Sequence, residues 1–567
     1  MPQSTYDYVL LFAALILGAI IVSFVVRRYQ GARRRRWLIR QWGEPVDRKY
    51  TPNELIHIRN QASLLAGEFA VDNTTWNDLD MDKLYERANH TLTDAGDHML
   101  YAMLRTPLTD PAELVKRRKI VAWGQSDEKG REHLKGILYD LGRDGSVDLG
   151  GLFSGDWYRA SGLAGSVALS AGLALAILLS LFGVVAAVIP AILLAIVNVI
   201  IAMRARAAIG SYINLTQQIP PLLNTARRIA QAGVPGLQEE SERIASLLRP
   251  LKGIMRSNLQ VLYSSSYNPA DALMYFKLFF LMELISYYRL AKAIARHREE
   301  ILEACRFVGT VDALIAAASW RATLPQWCEP ALEAGAERPG IAFDAMTHPL
   351  LKGAVPNSVQ ITCNLLLTGS NATGKSTFLK AVALNAVLAQ SLCTVTAASW
   401  RGSLFRVFTS MALRDDLFRE ESYFITEIKT LKRMLDSLGG GTPCLCIVDE
   451  VLRGTNTGER IAAASEALLQ FSRQNCLCLA ATHDIELTHI LDGVYENMHF
   501  TETVEDGAIR FDYKIRPGRS RSRNAIRLLE LLGYGRELVD AANRRLEGFE
   551  KTGRWASAGG DGRPSGQ

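Results

Sequence analysis

Cysteine is scarce in this 567-residue chain, and none of its eight cysteines precedes Cys305. That absence excludes a small secreted domain stabilised by a disulfide framework. Aromatic residues make up 8% and charged residues 22% of the chain, which is ordinary for a folded protein and excludes disordered and collagen-like classes. At about 150 residues per domain, the length predicts three or four structural units.

A general excess of positive charge is also missing. The net charge is +6, but seven arginines lie between residues 27 and 40, and without them 57 basic residues face 58 acidic ones. Most of the chain is therefore not broadly basic. Its charge alone does not predict tight non-specific binding of nucleic acid.

Residues 8–26 carry no charge, and no basic residue precedes them. Such a helix just spans the roughly 30 Å hydrocarbon core of a bilayer. A cleavable signal peptide has its positive charge in front, so we predict a transmembrane helix with its N-terminus outside and the arginines in the cytoplasm. The arginine run anchors this topology and also suits contact with anionic lipid head groups. An arm that binds DNA is the less favoured interpretation.

A second uncharged stretch, 160–203, lies between Arg159 and Arg204. As one straight helix it would run about 66 Å, twice the thickness of the hydrocarbon core. We therefore predict a transmembrane hairpin of two helices, 163–181 and 185–203, with Ser180 and Gly183 near the turn. Three spans make a multi-pass protein of the plasma membrane with its soluble parts in the cytoplasm.

The soluble parts differ in pattern. Apolar residues recur at helical spacing before and after the hairpin, whereas short β-rich runs alternate with helices from about residue 341. The apolar stretch 278–288 contains Glu283, which favours a buried helix over a fourth span. The predicted regions are 1–43 (first span and arginine anchor), 44–159 (helical core, first half), 160–203 (hairpin), 204–340 (helical core, second half), 341–550 (α/β domain) and 551–567 (disordered tail).

One motif in the α/β domain predicts a phosphate site. The apolar run 365–368 leads into Gly369-Ser370-Asn371-Ala372-Thr373-Gly374-Lys375-Ser376, and a helical run starts at Thr377. This is G-x-x-x-x-G-K-[ST] in the strand–loop–helix context that the motif requires. The glycines allow backbone amides to surround phosphates at a helix N-terminus. We expect Lys375 to reach the β- and γ-phosphates and Ser376 to bind Mg²⁺.

Two further apolar strands end in polar residues. The run 444–448 precedes Asp449 and Glu450, and the run 476–481 precedes Thr482-His483-Asp484. Asp449 is expected in the Mg²⁺ shell and Glu450 beside the attacking water, and His483 is expected to sense the γ-phosphate rather than to be a simple turn residue. The pairs Cys444/Cys446 and Cys476/Cys478 lie on these strands. Core cysteines on one strand face are favoured over a metal site.

Several linked motifs resemble the ATPase domain of the MutS family of mismatch-repair proteins. The residues that carry this resemblance over 348–550 are His348-Pro349, the loop 369–377, Asp415-Asp416-Leu417 with Ser422 and Glu427, Asp449-Glu450 with Arg453-Gly454-Thr455-Asn456-Thr457, and Ala481-Thr482-His483-Asp484-Ile485-Glu486-Leu487-Thr488. Further upstream, Thr93-Asp94-Ala95-Gly96 resembles the start of the family's helical core. The hairpin falls where the family inserts its DNA clamp.

The resemblance implies the fold class: an α/β P-loop ATPase domain of the ABC type, MutS-like, preceded by an all-α core that the transmembrane hairpin interrupts. One further transmembrane helix lies at the N-terminus. It also implies ATP and Mg²⁺ as cofactors and ATP hydrolysis as the reaction.

The resemblance also implies residue roles. Asn371, Lys375, Ser376 and Thr377 would bind phosphate and Mg²⁺, with Asp449 on the metal, Glu450 activating water and His483 as the switch histidine. Ser422 would reach the γ-phosphate of the other subunit, which implies a homodimer with composite sites. Tyr513 falls where the family places an aromatic side chain against adenine, although an ordinary strand tyrosine is an equal alternative.

Two departures from the family pattern matter. The family's mismatch-reading domain has no room here, because only about 50 residues separate the first span from the core, and Phe418-Arg419-Glu420 lies inside the ATPase domain. Arg419-Glu420-Glu421 also replaces a glycine-containing stretch before Ser422. Its two carboxylates would stand near a partner's triphosphate, which puts the strength of the contact across the dimer in question.

These observations predict a membrane-anchored MutS-like ATPase that couples hydrolysis to a dimer rearrangement. It would contact duplex DNA in repair or recombination without reading mismatches. The alternative is a membrane scaffold or remodelling ATPase whose core grips an unknown protein. A transporter of the ABC type ranks last, because three spans split by half of a soluble core make a poor translocation pathway and the transporter signature is missing.

Overall fold

The computed structural model describes residues 40–46, 48–67, 70–143, 150, 162–256, 272–335, 338–370, 372–411, 423–452, 455–505, 508–520, 526, 529–530 and 533–555. The predicted first span, the arginines of residues 27–36, Asn371 and Ser422 lie outside these residues. Packing divides the chain into a helical unit (Met1–Asp72, Asp80–Pro325 and Leu388–Thr394) and a sheet unit (Asn73–Leu79, Gln326–Val387 and Val395–Gln567). The domain boundaries drawn from the sequence stay predictions.

The helices before residue 322 are mostly those of the helical unit. They are α1 (Pro52–Ala66), α2 (Asn73–Asp78), α3 (Met81–Ala88), α4 (Asp94–Arg105), α5 (Pro111–Ser126), α6 (Glu128–Leu141), α7 (Leu163–Leu181), α8 (Val188–Gln231), α9 (Gln238–Leu247), α10 (Lys252–Met255), α11 (Ala272–Phe279), α12 (Met282–Arg296) and α13 (Arg298–Arg321). Of these, α2 belongs to the sheet unit.

Local sequence signals explain where several of these helices begin. At α1, Thr51 and Glu54 form a reciprocal capping box, and Pro52 occupies the first turn, where its missing N–H costs nothing. The side chain of Thr93 caps α4 by accepting from the Gly96 amide at 3.0 Å. Helix α4 packs closely on α13, since a Cβ at Gly309 would lie 2.5 Å from the Ala95 carbonyl oxygen.

Two apolar helices lie where the sequence predicted a transmembrane hairpin, with one difference in the second helix. Helix α7 has the predicted bounds, and after a 3-10 turn at Val185–Ala187, α8 continues to Gln231 instead of ending near residue 203. Leu223, Ala226 and Ile229 are fully buried, so the second half of α8 continues as a core helix. Among the described residues, Leu163–Leu181 and Val185–Ala208 are long and apolar enough to cross a membrane.

The apolar stretch 278–288 was expected to form one helix, and the structure divides it. Helix α11 ends at Phe279 and α12 starts at Met282, with Leu281 in the left-handed backbone region at φ 48°. Leu281, Leu284 and Tyr287 are buried, as the sequence indicated. The carbonyl groups at this break accept hydrogen bonds from side chains of α7 and α8, which lie far away in the chain.

The sheet unit is built on a six-stranded sheet of order β12-β9-β4-β8-β7-β6, in which β4, β6, β7, β8 and β9 run parallel and β12 is antiparallel. A four-stranded sheet of order β1-β5-β2-β3 and the hairpin β10-β11 accompany it. The strands are β1 (Ala331–Glu333), β2 (Ile341–Met346), β3 (Asn357–Ile361), β4 (Leu365–Thr368), β5 (Ser399–Ser403), β6 (Arg406–Ser410), β7 (Cys444–Asp449), β8 (Cys476–Ala481), β9 (Glu496–His499), β10 (Glu502–Glu505), β11 (Ala508–Phe511) and β12 (Arg516–Pro517).

Helices cover this parallel sheet, as crossover connections require. They are α14 (Lys375–Ser391), α15 (Tyr423–Asp436), α16 (Thr457–Ser472) and α17 (Ile485–Ile490). A further helix, α18 (Arg536–Thr552), is mostly exposed and lies near the end of the described residues. Every residue of β4, β7 and β8 is buried. Helix α18 includes Lys551 and Thr552, the first two residues of the predicted disordered tail, and residues 556–567 lie outside the described part.

The prediction for the strand cysteines is confirmed. Cys444 is paired in register with Cys476, and Cys446 with Cys478, so the four thiols lie on one face of two adjacent strands. They belong to a hydrophobic cluster with Leu468, Phe471 and Tyr495. Burial raises the pKa of the Cys478 thiol well above its usual value, which keeps this thiol protonated and unreactive.

Candidate functional site

The sheet topology brings the three sequence motifs to one edge. Strand β4 lies next to β8, and β8 lies next to β7, all parallel, so the segments that follow these strands emerge side by side. They are the phosphate loop (residues 369–374), Thr482-His483-Asp484 and Glu450 with its neighbours. This is the edge at which open α/β sheets bind ligands.

The phosphate loop is closed around its lysine. Lys375 is 5% exposed, and its Nζ donates to the carbonyl oxygens of Gly369 at 2.8 Å and Ser370 at 2.9 Å. Gly369 has φ +144°, and a Cβ there would lie 2.6 Å from the Phe500 carbonyl oxygen, so only glycine fits. The first turn of α14 points its free amide groups toward the loop, which favours an anion.

Glu450 and His483 form the polar pair of the site. His483 Nε2 lies 2.9 Å from Glu450 Oε1, and the glutamate side chain is 17% exposed. Glu450 has φ +59°, an unfavourable conformation for a residue with a side chain. The backbone is fixed there by the Glu450 amide, which donates to the Ala481 carbonyl at 2.9 Å. The carboxylate of this strained residue is the group that contacts the histidine.

Two contacts that the sequence did not indicate support this pair. Arg460, in the first turn of α16, donates Nε at 2.9 Å and Nη2 at 2.6 Å to the carboxylate of Asp484. This hydrogen bond raises the pKa of Arg460 above its already high value, so the pair stays charged. Because Asp484 follows His483 directly, the bidentate pair fixes the segment that carries the histidine.

The second supporting contact joins α15 to the segment after β7. The Glu427 carboxylate accepts from the amide of Leu452, another residue in the left-handed region at φ 59°. Glu427 belongs to a motif that resembles the family, but nothing in the sequence paired it with Leu452. Contacts of this kind depend on the folded arrangement of residues 25 positions apart.

A cavity of about 510 Å³ lies beside the loop and is the size of a small-ligand pocket. Its lining includes Lys375, Ser376, Glu450 and Tyr513 of the predicted set, together with His348 and Leu351. Tyr513 lies between β11 and β12, so the strand alternative for this residue is wrong. Asn357 holds its loop by donating to the Tyr513 carbonyl at 3.0 Å and accepting from the Ile515 amide at 2.9 Å.

The predicted residues thus fall into three groups. Ala372, Gly374, Lys375, Ser376, Thr377, Glu450 and Tyr513 line the cavity, and Gly369, Ser370 and Thr373 shape the loop. Asp449 ends β7 and His483 contacts Glu450. Asn371 and Ser422 lie outside the described residues. His348, which the sequence offered only as part of a resemblance, and Leu351 are cavity residues that no local signal marked.

The donor set suits Mg²⁺. Ser376 offers a hydroxyl in the first turn of α14, and Asp449 offers a carboxylate at the end of β7. Magnesium prefers oxygen ligands and takes few of them from the protein, completing its shell with water and substrate phosphates. In the described part of the chain, no cluster of three or more His, Cys, Asp or Glu is arranged to hold a metal ion. A cation held by Ser376 and Asp449 would complete its shell with water and phosphate oxygens.

Comparisons with known proteins found similarity to one family. Residues 365–550 match the family model of MutS domain V. The chain is 32% identical over 268 residues to the DNA mismatch repair protein MutS of Natronomonas pharaonis, covering 45% of this chain and 30% of that protein. It is 31% identical over 273 residues to the protein of the same name from Thermus thermophilus, covering 46% of this chain and 33% of that protein.

A third relative, the DNA mismatch repair protein MutS of Lactobacillus delbrueckii subsp. bulgaricus, is 28% identical over 286 residues, which cover 48% of this chain and 33% of that protein. The chain thus spans about a third of the length of these relatives. The matched range contains the phosphate loop, the ends of β7 and β8 and Tyr513. Residues 365–550 thus match MutS domain V, and over this part of the chain the protein is similar to the MutS proteins.

Proposed function

We propose that the protein is a membrane-anchored, MutS-like ATPase that hydrolyses ATP with Mg²⁺. The observation that carries the proposal is the cavity that joins Lys375 of the phosphate loop to Glu450, which itself contacts His483. A lysine in a phosphate loop and a carboxylate positioned for water are the two parts that phosphoryl transfer to water needs. The resemblance to domain V of the MutS family implies the same two parts, a lysine in the phosphate loop and a carboxylate for the water.

Each residue has a defined task in this proposal. Lys375 exchanges its two carbonyl partners for the β- and γ-phosphate oxygens of ATP, and the amides of the phosphate loop bind the remaining oxygens. Ser376 and Asp449 would hold Mg²⁺, which would supply positive charge to neutralise the phosphates. Glu450 orients a water molecule and accepts its proton, while His483 holds the glutamate in place. Tyr513 and Leu351 offer apolar surface to the base.

Replacement of Glu450 by Gln tests the reaction. The amide keeps the size of the side chain but cannot accept the proton, so turnover should fall about 10²- to 10⁴-fold while ATP binding persists. Lys375→Ala should instead weaken ATP binding itself, because the cation that pairs with the phosphates is gone. Steady-state phosphate release and equilibrium binding of ATP separate the two results.

The matched control is Glu466→Gln on the exposed side of α16, which changes the same chemical group away from the cavity. It should leave both measurements unchanged. Normal phosphate release by the Glu450→Gln protein would show that another group activates the water.

We further propose a homodimer with composite ATP sites. Ser422 would serve the partner's site, so a Ser422→Ala subunit mixed with a Lys375→Ala subunit should restore one working site per heterodimer. Neither variant alone should restore turnover at any concentration. Persistent inactivity across all mixing ratios would reject the role of Ser422 across the dimer.

Anchoring in the plasma membrane is supported by the hairpin. Leu163–Leu181 and Val185–Ala208 each have the length of a span, and large apolar side chains such as Leu175, Ile189 and Leu193 are more than half exposed. Leaving such a surface in water would be costly, at about 25 cal/mol per Å². Tags at Ser4 and Gln567 test the proposed odd number of spans, since they should be external and cytoplasmic, respectively, in intact cells.

For the partner, we propose duplex DNA bound without mismatch reading. The uncharged hairpin occupies the clamp's place, so DNA contact would come from phosphates, ignore a mispair and weaken steeply with salt. Matched and mismatched duplexes should therefore bind with equal affinity and stimulate ATP turnover equally. Stimulation of the detergent-solubilised protein by neither duplex would favour the second candidate, a membrane scaffold or remodelling ATPase with a protein partner, which the exposed apolar hairpin also fits.

A further inference from the structure

The break between α11 and α12 has its hydrogen-bond partners in the hairpin. Ser170 Oγ donates to the carbonyl oxygen of Phe280 at 2.7 Å, and Asn198 Nδ2 donates to that of Phe279 at 2.7 Å. Ser170 lies on α7 and Asn198 on α8, so each hairpin helix serves one carbonyl of the break. A helix end leaves its last carbonyls without intrahelical partners, and these two side chains supply them.

The positions of both donors place the break within one leaflet, if the hairpin spans the bilayer as proposed above. Ser170 is seven residues into α7, which corresponds to about 10 Å from its start. Asn198 precedes Arg204 by six residues, or about 9 Å. The two depths agree, and half of a hydrocarbon core is about 15 Å thick. The break therefore lies well below the level of Arg204.

Two further contacts join α12 to the hairpin helices. Arg206, just beyond the apolar part of α8, lies 3.4 Å from the carboxylate of Glu283 in the first turn of α12. Tyr288, two turns along α12 from the break, packs on Gly162 at the start of α7, where a Cβ would lie 2.5 Å from its hydroxyl. Helix α12 thus runs from the depth of Phe280 to the surface of the membrane. Arg206 extends its side chain toward the membrane interior and neutralises the carboxylate of Glu283 in the first turn of α12.

We infer that residues 272–288 form a third membrane-embedded element, a broken helix that enters the leaflet beside Arg204 without crossing it. Its occupant is the acyl-chain region of a phospholipid bilayer. Phe276 is 46% exposed and packs against Phe280, with ring centroids 4.6 Å apart and the rings tilted by 40°, so the broken helix exposes a large aromatic side chain as the hairpin exposes aliphatic ones. Irregular backbone survives in lipid only where its polar groups are satisfied, which Ser170 and Asn198 achieve here.

This inference also explains two polar side chains in an otherwise apolar hairpin. Asn198 is fully buried although it lies in a segment suited to lipid, and the single hydroxyl proton of Ser170 is within reach of the carbonyl oxygens of both Ser166 and Phe280. An asparagine within a spanning helix is unfavourable unless it binds another polar group. The broken helix supplies that group, so the hairpin and residues 272–288 form one embedded assembly.

Nitroxide labels in vesicles of phosphatidylcholine and phosphatidylglycerol test the depth. In a Cys328→Ala/Cys363→Ser background, cysteine is introduced by Phe276→Cys, Val197→Cys and Arg289→Cys. Val197 is exposed on the hairpin next to Asn198, and Arg289 is exposed on α12 past the boundary. We expect the label at 276 to collide with oxygen and lose collisions with a water-soluble nickel chelate, as at 197 and unlike at 289.

The outcomes are distinguishable. A label at 276 that contacts the nickel chelate while the label at 197 does not would overturn the embedded element and leave the membrane hairpin intact. Contact of both labels with the chelate would reject the hairpin and this element together. Protection at 276 from oxygen and nickel alike would mean that protein, such as a second copy of the chain, covers the face, which also overturns lipid as the occupant.

The role of the two donors is tested separately. The double change Ser170→Ala/Asn198→Leu removes both hydrogen bonds and keeps the hairpin apolar, so the label at 276 should become mobile and gain nickel collisions. A label introduced by Leu193→Cys should stay in lipid. Ser180→Ala is the matched control, because Ser180 Oγ bonds only within its own helix among the described contacts, to Ala176 at 2.8 Å. An unchanged label at 276 in the double variant would reject the donors' role.

Discussion

The helical unit and the sheet unit use buried charge in different ways. In the helical unit, Asp97 accepts from the hydroxyls of Tyr50 at 2.9 Å and Tyr85 at 2.5 Å and from the Asn89 amide, and it pairs with Arg143 at 2.9 Å. In the sheet unit, Glu450 pairs with His483 beside an open cavity. The first arrangement is closed by protein groups, whereas the second faces the space where a ligand fits.

The difference shows how a structural charge can be told from a functional one. Burial and the nearby Asp97 carboxylate raise the pKa of Tyr85, so this phenol stays a hydrogen-bond donor at any physiological pH. A closed network of this kind stabilises the fold only while every member is present. The Glu450 pair, by contrast, should matter little for stability and much for turnover. The predictions below test that division.

The largest effect is expected for Asp97→Asn. The change removes the carboxylate from a guanidinium that is only one-fifth exposed, so the free energy of unfolding should fall by about 3 kcal/mol. Thermal unfolding of the helical unit would report this loss. ATP affinity measured below the transition should remain unchanged, and a large loss of affinity would break the comparison between the units.

The matched control is Asp80→Asn, which removes a carboxylate from the pair with Lys83, a residue whose side chain is 65% exposed. Asparagine tolerates the left-handed backbone of residue 80 as well as aspartate does. Exposed pairs contribute less than about 1 kcal/mol, so this variant should unfold close to the parent protein.

The second prediction concerns pH and two buried groups of the helical unit. Burial raises the pKa of Asp312 from 3.8 to about 6 and lowers the pKa of His90 from 6.5 to about 4. Between about pH 4 and 6, folded Asp312 holds a proton that the unfolded chain has lost, so this residue makes stability fall as pH rises. Folded His90 lacks a proton that the unfolded chain binds, so it makes stability rise with pH.

The two residues therefore oppose each other, and single variants should uncover the remaining slope. Asp312→Asn should leave stability rising with pH across this window, while His90→Gln should leave it falling, each by about 2 kcal/mol. Unfolding measured at several pH values between 4 and 7 gives both slopes. Slopes of the same sign in the two variants would contradict the assignment.

The sequence predicted those parts of the molecule that depend on neighbouring residues. The phosphate loop follows from one motif between a strand and a helix, and the bounds of α7 follow from an uncharged run of the length of a bilayer. The buried cysteine strands follow from short apolar runs. Each of these signals lies within about twenty residues, so no distant contact was needed to recognise it.

The parts that escaped prediction depend on distant partners. Nothing near residue 203 indicates that α8 continues to Gln231, because burial of its second half against other helices decides that. At the break, the Phe280 carbonyl accepts a hydrogen bond from Ser170, which lies 110 positions away. Arg460 donates to Asp484, 24 positions away. Side-chain pairs of this kind become visible only when the fold brings them together.

The third prediction concerns Arg460, which acts on the site through Asp484 and His483. Arg460→Gln removes the charged bidentate contact and should lower ATP turnover about tenfold, or about 1.4 kcal/mol, without changing ATP affinity. Arg460→Lys keeps the positive charge but cannot make the bidentate contact, so it should recover only part of the lost ATP turnover. Single-turnover hydrolysis with the protein in excess over ATP gives the rate of hydrolysis, and an equilibrium titration gives the affinity for ATP.

The control for Arg460 is Arg473→Gln, at the exposed end of the same helix, which should turn over ATP at the parent rate. Equal turnover in the Arg460→Gln protein would show that the segment of His483 is fixed by its own backbone. A fall in affinity rather than turnover would place Arg460 at the nucleotide instead.

The smallest effect is expected from two changes that exchange alanine and glycine around the same cavity. Ala372 has φ +68° in the phosphate loop, and Gly353 has φ +68° with open space around a built Cβ.

The left-handed backbone costs a residue with a Cβ about 1 to 2 kcal/mol. Glycine also raises the entropy of the unfolded chain, which lowers the free energy of unfolding by about 0.4 to 1 kcal/mol and offsets part of the gain from relieving the strain. Ala372→Gly should therefore stabilise the sheet unit by about 0.5 kcal/mol, and Gly353→Ala should destabilise it by a similar amount, because the difference of these two terms has opposite signs in the two variants. For a unit of this size such an effect moves the melting temperature by about 1 to 2 °C in opposite directions. Shifts of the same sign would mean that contacts of the loop, rather than its backbone strain, decide which residue fits at position 372.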